Sequence, residues 1–198
     1  MTHGGSFKAK PSQGWMPIRG EYVITTHTPS FHWYGRIQMA PGVHVAAIDS
    51  YIHGHGRMLV KALSAVPVVD ETSPQTGQSA FGRCVAELSM TPTFSLDREK
   101  VHCETVGPNH ARCEVRDQGF STPADVYVND DGSLDRIVVM RAFDRGEGRF
   151  TMERFTEKAS KPATWGGRRL AAHLDGYWNL PEGDLHYVSF DVEQAEFE

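Results

Sequence analysis

Apolar residues in this chain recur at every second position more often than at helical spacing. Phe31, Trp33, Ile37 and Met39 alternate with His32, Tyr34, Arg36 and Gln38, the pattern of a strand with one buried face. A two-residue repeat cannot give a helix one continuous apolar stripe, so this period constrains the fold class. Pro41-Gly42 marks a turn, Val43 to Ile52 reads as the next strand, and Met58 to Val69 reads as one further extended run.

One segment breaks the pattern. Ser73 is placed to cap a helix whose first turn holds Pro74. Phe81, Cys84, Val85 and Leu88 then fall on one helical face, and Thr91-Pro92 stops the run. Beyond it the chain returns to strands. VHCETV and ARCEVRD flank the turn Gly107 to His110. Ala124 to Val128 and Leu134 to Phe143 flank Asn129 to Gly132, where Asp-Gly is a hairpin signal. Phe150 to Thr156, Leu170 to Leu174 and Leu185 to Val192 complete the set.

The expected architecture is mainly β (α+β). About eight to ten strands form a strongly curved antiparallel sheet or barrel, with one main helix at about 74–90. No linker or repeat divides residues 1–198, so a single domain is expected, with residues 1–14 a short strand or a flexible lead. Closing or half-closing such a sheet leaves an interior that side chains need not fill, so a ligand pocket follows from the architecture.

Composition narrows the partners. A net charge of -5 with scattered Lys and Arg offers no basic stripe for nucleic acid. No apolar run reaches the roughly 18 residues that a spanning helix needs. The opening MTHGGSFKAKPSQGW lacks an apolar stretch of the signal-peptide kind, so a cytoplasmic location is expected. Three cysteines without CxxC spacing fit buried thiols, although Cys103 and Cys113 stand across one hairpin.

Several motifs stand together in a distinctive order: Trp15-Met16-Pro17, PSFHW (29–33), DSYIHGHGRM (49–58), AELSMTP (86–92), VNDDGSL, the Arg141 strand and Gly176-Tyr177. In this order the chain resembles a bacterial family of domains of unknown function with lipocalin-type or lipoprotein-carrier-type curved sheets. The resemblance implies a fold and leaves the activity open. Its pattern needs the Asp, the Tyr and the glycines of DSYIHGHGRM but not the histidines, so no chemistry at HGHG carries over from it.

In a continuous strand Asp49, Tyr51, His53 and His55 project to one side. Two imidazoles at that spacing, with Asp49, His44 or Glu87 as a third donor, suit a metal. Without a metal they suit acid–base chemistry, with Asp49 orienting a histidine. A solvated strand face is the competing reading, and no resident metal or cofactor is expected. Glu87 stands four residues after Arg83, the spacing of a surface ion pair, yet it borders the apolar stripe. A carboxylate reaching into the sheet there would have a raised pKa and suit a catalytic base. Arg141 follows four apolar residues and needs a partner: Glu87, Asp49 or an anionic group of a ligand.

The leading expectation is a binding module. A small, largely apolar or aromatic molecule sits between sheet and helix, with Trp33, Arg141 and Tyr177, together with Tyr51 and His53, as contacts. The alternative is a cofactor-free isomerase, cyclase or lyase. It has His53 or His55 as base, Asp49 and Glu87 as carboxylates, and Tyr51 or Arg141 facing developing negative charge. That reading requires both histidines to point into the cavity. A third possibility is a homodimer joined through an exposed sheet edge.

Overall fold

A computed structural model describes residues 1–197. Six strands come first: β1 (Thr2–Phe7), β2 (Met16–Ile24), β3 (Phe31–Ala40), β4 (Val43–Ile52), β5 (His55–Ala62) and β6 (Val66–Glu71). Helix α1 (Pro74–Ala86) follows, continued by short 3-10 turns at Glu87–Ser89 and Pro92–Leu96. Seven more strands complete the chain: β7 (Val101–Gly107), β8 (His110–Asp117), β9 (Phe120–Val128), β10 (Leu134–Gly146), β11 (Arg149–Trp165), β12 (Arg168–Leu180) and β13 (Gly183–Gln194).

All thirteen strands join one antiparallel sheet in the order β6-β5-β4-β3-β2-β1-β13-β12-β11-β10-β9-β8-β7. Each half is a simple meander. The halves meet where β1 pairs with β13, Gly5 opposite Phe190, so the first residues lie at the middle of the sheet. β6 and β7 are its two free edges, and the sheet is curved but not closed into a barrel. The chain passes from one edge to the other through α1, which packs on β10, β5, β4 and β9 across the concave side.

Period-two patterning accounts for the strands. Phe31, Trp33 and Ile37 are buried and their neighbours are not, although Met39 at the strand end is exposed. The strand count exceeds the expectation for two reasons. The run after Gly56 splits at Leu63-Ser64, both with positive φ, into β5 and β6. β1 and β2 lie in a stretch rich in Gly and Pro, where side-chain alternation is faint. The helix begins as read, with the Ser73 hydroxyl accepting from the Thr76 N–H and Pro74 in the first turn. Its last turn tightens to 3-10 at Glu87–Ser89, within the expected span.

One expectation is overturned. Cys103 and Cys113 form a disulfide instead of standing as thiols. They are direct cross-strand partners in the β7–β8 hairpin, and that register brings the two side chains together. Only Cys84 is free, buried in the core of α1. The bridge ties edge strand β7 to its neighbour β8. Closing a loop with a sequence separation of 10 should stabilise the fold by about 2.5 kcal/mol. Urea unfolding with and without reductant measures this directly; equal midpoints would show that the bridge contributes nothing.

Candidate functional site

HGHG is a turn. Ile52 pairs with His55, leaving His53 and Gly54 as a two-residue hairpin loop with φ of 50° and 81°. Positive φ at both loop positions matches the strand twist and favours glycine. Gly56 serves packing: a Cβ there would come within 2.6 Å of the Gly77 Cα, so the helix docks backbone-to-backbone on β5. The alternation that placed four side chains on one face therefore ends at Tyr51. His53 and His55 are exposed and make no ion pair among the described residues. The condition for acid–base catalysis by these histidines is not met. Among the described residues no group of three His, Cys, Asp or Glu side chains is placed to hold a metal ion.

Asp49 and Tyr51, in contrast, face the concave side and separate from each other. Tyr51 is fully buried against Phe81 and Phe120, the three rings in mutual contact, and donates to Asp117 Oδ2 at 3.0 Å. Burial and then that bond push its phenol pKa well up. Lys100 holds the other Asp117 oxygen at 2.9 Å. Tyr51 thus ties β4 directly to β8 while packing on Phe81 of the helix.

Asp49 belongs to a buried ionic cluster. Arg83 on α1 donates to Asp49 Oδ2 and to Glu87 Oε1, both at 2.7 Å. Its guanidinium lies over three rings, Trp33 at 4.8 Å, Phe31 at 5.2 Å and Tyr22 at 5.3 Å. Burial alone would weaken its hold on the proton, but Glu87, Tyr22 and Asp49 outweigh this and raise its pKa. The Arg83–Glu87 pair forms at the anticipated spacing, but it is not a surface pair, since the two side chains are 18% and 8% exposed. Trp33 donates from Nε1 to the His3 Nε2 at 2.9 Å. Burial, then the field of Arg83, lowers the His3 pKa to about 4.

Three buried side-chain atoms among the described residues lack a hydrogen-bond partner: Glu87 Oε2, Tyr22 Oη and His3 Nδ1. All three belong to this cluster. The sheet adds another acid. Glu157 on β11 is 5% exposed and accepts from the Ser89 hydroxyl at 2.5 Å. Burial, then the charge of Glu87, raises its pKa to about 8. Burial here therefore favours the protonated carboxyl over the carboxylate.

Ser89 also borders a partly open cavity of about 410 Å³ lined by the second half of the sheet and the 3-10 turns. Its walls are mostly apolar, with Leu88, Val101, Val126, Leu134, Ile137 and Leu170 prominent. Trp33, Arg141 and Tyr177, expected as ligand contacts, do not line it. Trp33 belongs to the ionic cluster. Tyr177 faces outward on the convex side, stacked on His186 at 4.2 Å with Lys158 above it. β12 alternates, and its inward places go to Leu174, Gly176 and Trp178. Arg141 is buried as expected but pairs with neither Glu87 nor Asp49; its Nε donates to the Ser79 carbonyl at 3.3 Å.

Sequence reasoning missed Glu157, Ser89, His3 and Tyr22, and saw Arg83 only as a surface partner. A signal for Glu157 existed. Phe155, Glu157 and Ala159 alternate as an inward face, and a carboxylate among them marks a buried acid. Ser89 and His3 lie where no periodicity announces a face.

No curated protein and no solved structure matches the chain. A family model described as a family of unknown function does match it, across residues 1–197. With that coverage and this curved, helix-bridged sheet, the chain belongs to the family of unknown function DUF6920.

Proposed function

We propose that this protein binds a small, largely apolar molecule in the cavity between β7–β12 and the 3-10 turns after α1. The observation that carries the reading is a partly open cavity of about 410 Å³ with mostly apolar walls. This lies within the range of about 300–1,000 Å³ typical of ligand pockets. The likeness of the sequence motifs to carrier-type curved sheets supports it. Ser89, bonded to Glu157, sets one polar point in the wall. Asn129, Ser133 and Arg169 supply others, and Arg169 is held by Asp131 at 2.8 Å. A few fixed polar groups in an apolar wall orient a ligand without reacting with it.

The experiment is a titration with N-phenyl-1-naphthylamine, an apolar dye that fluoresces when it leaves water. Saturable binding is expected, displaced by decanol. Ala171→Trp, at a partly exposed wall position, fills the space and should weaken binding at least tenfold while the protein keeps its unfolding midpoint. The proposal fails if the wild type gives no saturable signal, or if the filled variant binds the dye equally well.

A further inference from the structure

Arg141 stands apart from the other buried charges. It is 7% exposed and comes from the concave face of β10. Its guanidinium lies against an edge-to-face ring pair, 4.6 Å from Phe155 and 4.9 Å from Trp178, whose own centroids are 5.1 Å apart. Its stem presses on α1 where residue 82 is glycine; a Cβ there would lie 2.6 Å from the Arg141 Cγ. Helix and strand are therefore shaped around this side chain. Glycine inside a helix costs about 1 kcal/mol relative to alanine, so the fit is bought against the helix's own preference.

A guanidinium so placed has five N–H donors and ordinarily meets a carboxylate. Arg141 does not. Its one hydrogen bond among the described residues is the 3.3 Å contact from Nε to the Ser79 carbonyl. Asp49 and Glu87, whose fields reach it, are bonded to Arg83. Glu153, opposite Arg141 in the β10–β11 register, is held by Arg145 at 2.6 Å. Glu157 is engaged by Ser89. Burial and the charge of Arg83 both act against the Arg141 cation and lower its pKa.

We propose that Arg141 is an oxyanion-binding residue: its guanidinium, packed against the Phe155–Trp178 ring pair and forming no ion pair with a carboxylate among the described residues, takes one carboxylate or phosphate group. The planar fork of Nη donors fits two oxygens side by side. The side chain is buried against Phe155, Trp178 and the helix at Gly82, so little side-chain freedom is lost on binding. An incoming anion supplies the charge that the fold leaves out. This goes beyond the apolar cavity, because Arg141 does not line it. The anion comes either from solution or from the head of a ligand whose tail reaches the cavity.

The test uses the full chain and its tryptophan fluorescence, since Trp178 is in contact with the guanidinium. Wild type and Arg141→Gln are titrated with inorganic phosphate, with decanoate and with decanol, each at constant ionic strength. Saturable binding of phosphate or decanoate is expected in the wild type and at least tenfold weaker binding in the variant, with decanol equal in both. A response to phosphate identifies a free anion; a response to decanoate alone identifies a head group. If neither anion saturates in the wild type, or the variant binds as the wild type does, the assignment is overturned. Should the variant not fold, Nε–H resonances of ¹⁵N-arginine-labelled wild type decide: the Arg141 signal, identified by its proximity to Phe155 and Trp178 ring protons, must shift with the anion, and a signal that stays fixed refutes the proposal. Failure of the cavity reading would show instead as loss of dye and decanol binding, independent of Arg141.

Discussion

Arg83→Met should lower stability by about 3–5 kcal/mol, the cost of leaving buried charges without their counter-ion. Two carboxylates depend on this one side chain, Asp49 and Glu87, each at 2.7 Å. Methionine fills much of the volume between Trp33, Phe31 and Tyr22, so the loss reports charge more than space. The same variant carrying Asp49→Asn and Glu87→Gln should recover a large part of the deficit, because neutral amides need no counter-ion. Urea unfolding of the single and triple variants measures both. A single variant within 1 kcal/mol of wild type would show that Arg83 is not the electrostatic tie between helix and sheet.

The second large effect concerns pH. Glu157 has a folded pKa of about 8 against an ordinary 4.5, so the folded state holds a proton that the unfolded chain releases. Its contribution is complete below the unfolded value and declines as pH rises towards 8. His3 works in the opposite sense, with a folded pKa of about 4 against 6.5. Its contribution is present above 6.5 and is lost as pH falls towards 4. Between 4.5 and 6.5 the two slopes offset, and between 6.5 and 8 only Glu157 acts.

Stability should therefore fall across that upper interval by up to about 1.4 kcal/mol per pH unit, one proton's worth. The groups that face Glu157 are Ser89 and Glu87 on the turn, Arg83 on α1 and Arg141 on β10. Asp125, Asp175 and Asp191 have lowered pKa values and act only below this interval. Glu157→Gln should flatten the profile and raise the unfolding midpoint at pH 8.5. A wild-type profile that is level from 6.5 to 8, or a variant that keeps the slope, would remove Glu157 from this role.

Both predictions rest on residues whose chemistry was only partly legible. Arg83 and Glu87 were visible as a spaced pair, but their spacing fits a solvated helix face as well as a buried one. What separates the two is the sheet beneath, where Asp49, Trp33 and Tyr22 arrive from three different strands. The histidines show the opposite error. Alternation was extended through Gly54 as if the strand continued, and a turn with two positive φ values reversed the chain before His55. A two-residue hairpin cancels the parity argument, since residues beyond it are counted from a new strand.

Local patterning was sufficient for most of the scaffold. The period of two, the Pro-Gly and Asp-Gly turns, and the Ser73-Pro74 start of α1 depend on neighbours within a few residues, and the structure follows them. The sequence by itself determined that the chain would be a curved antiparallel sheet with one helix. Only the tertiary structure decided that β1 sits at the sheet's centre, that Cys103 meets Cys113, and that Glu157 is buried against Ser89. Each of these depends on groups far apart in sequence, and their energies come from burial and charge, which no local pattern encodes.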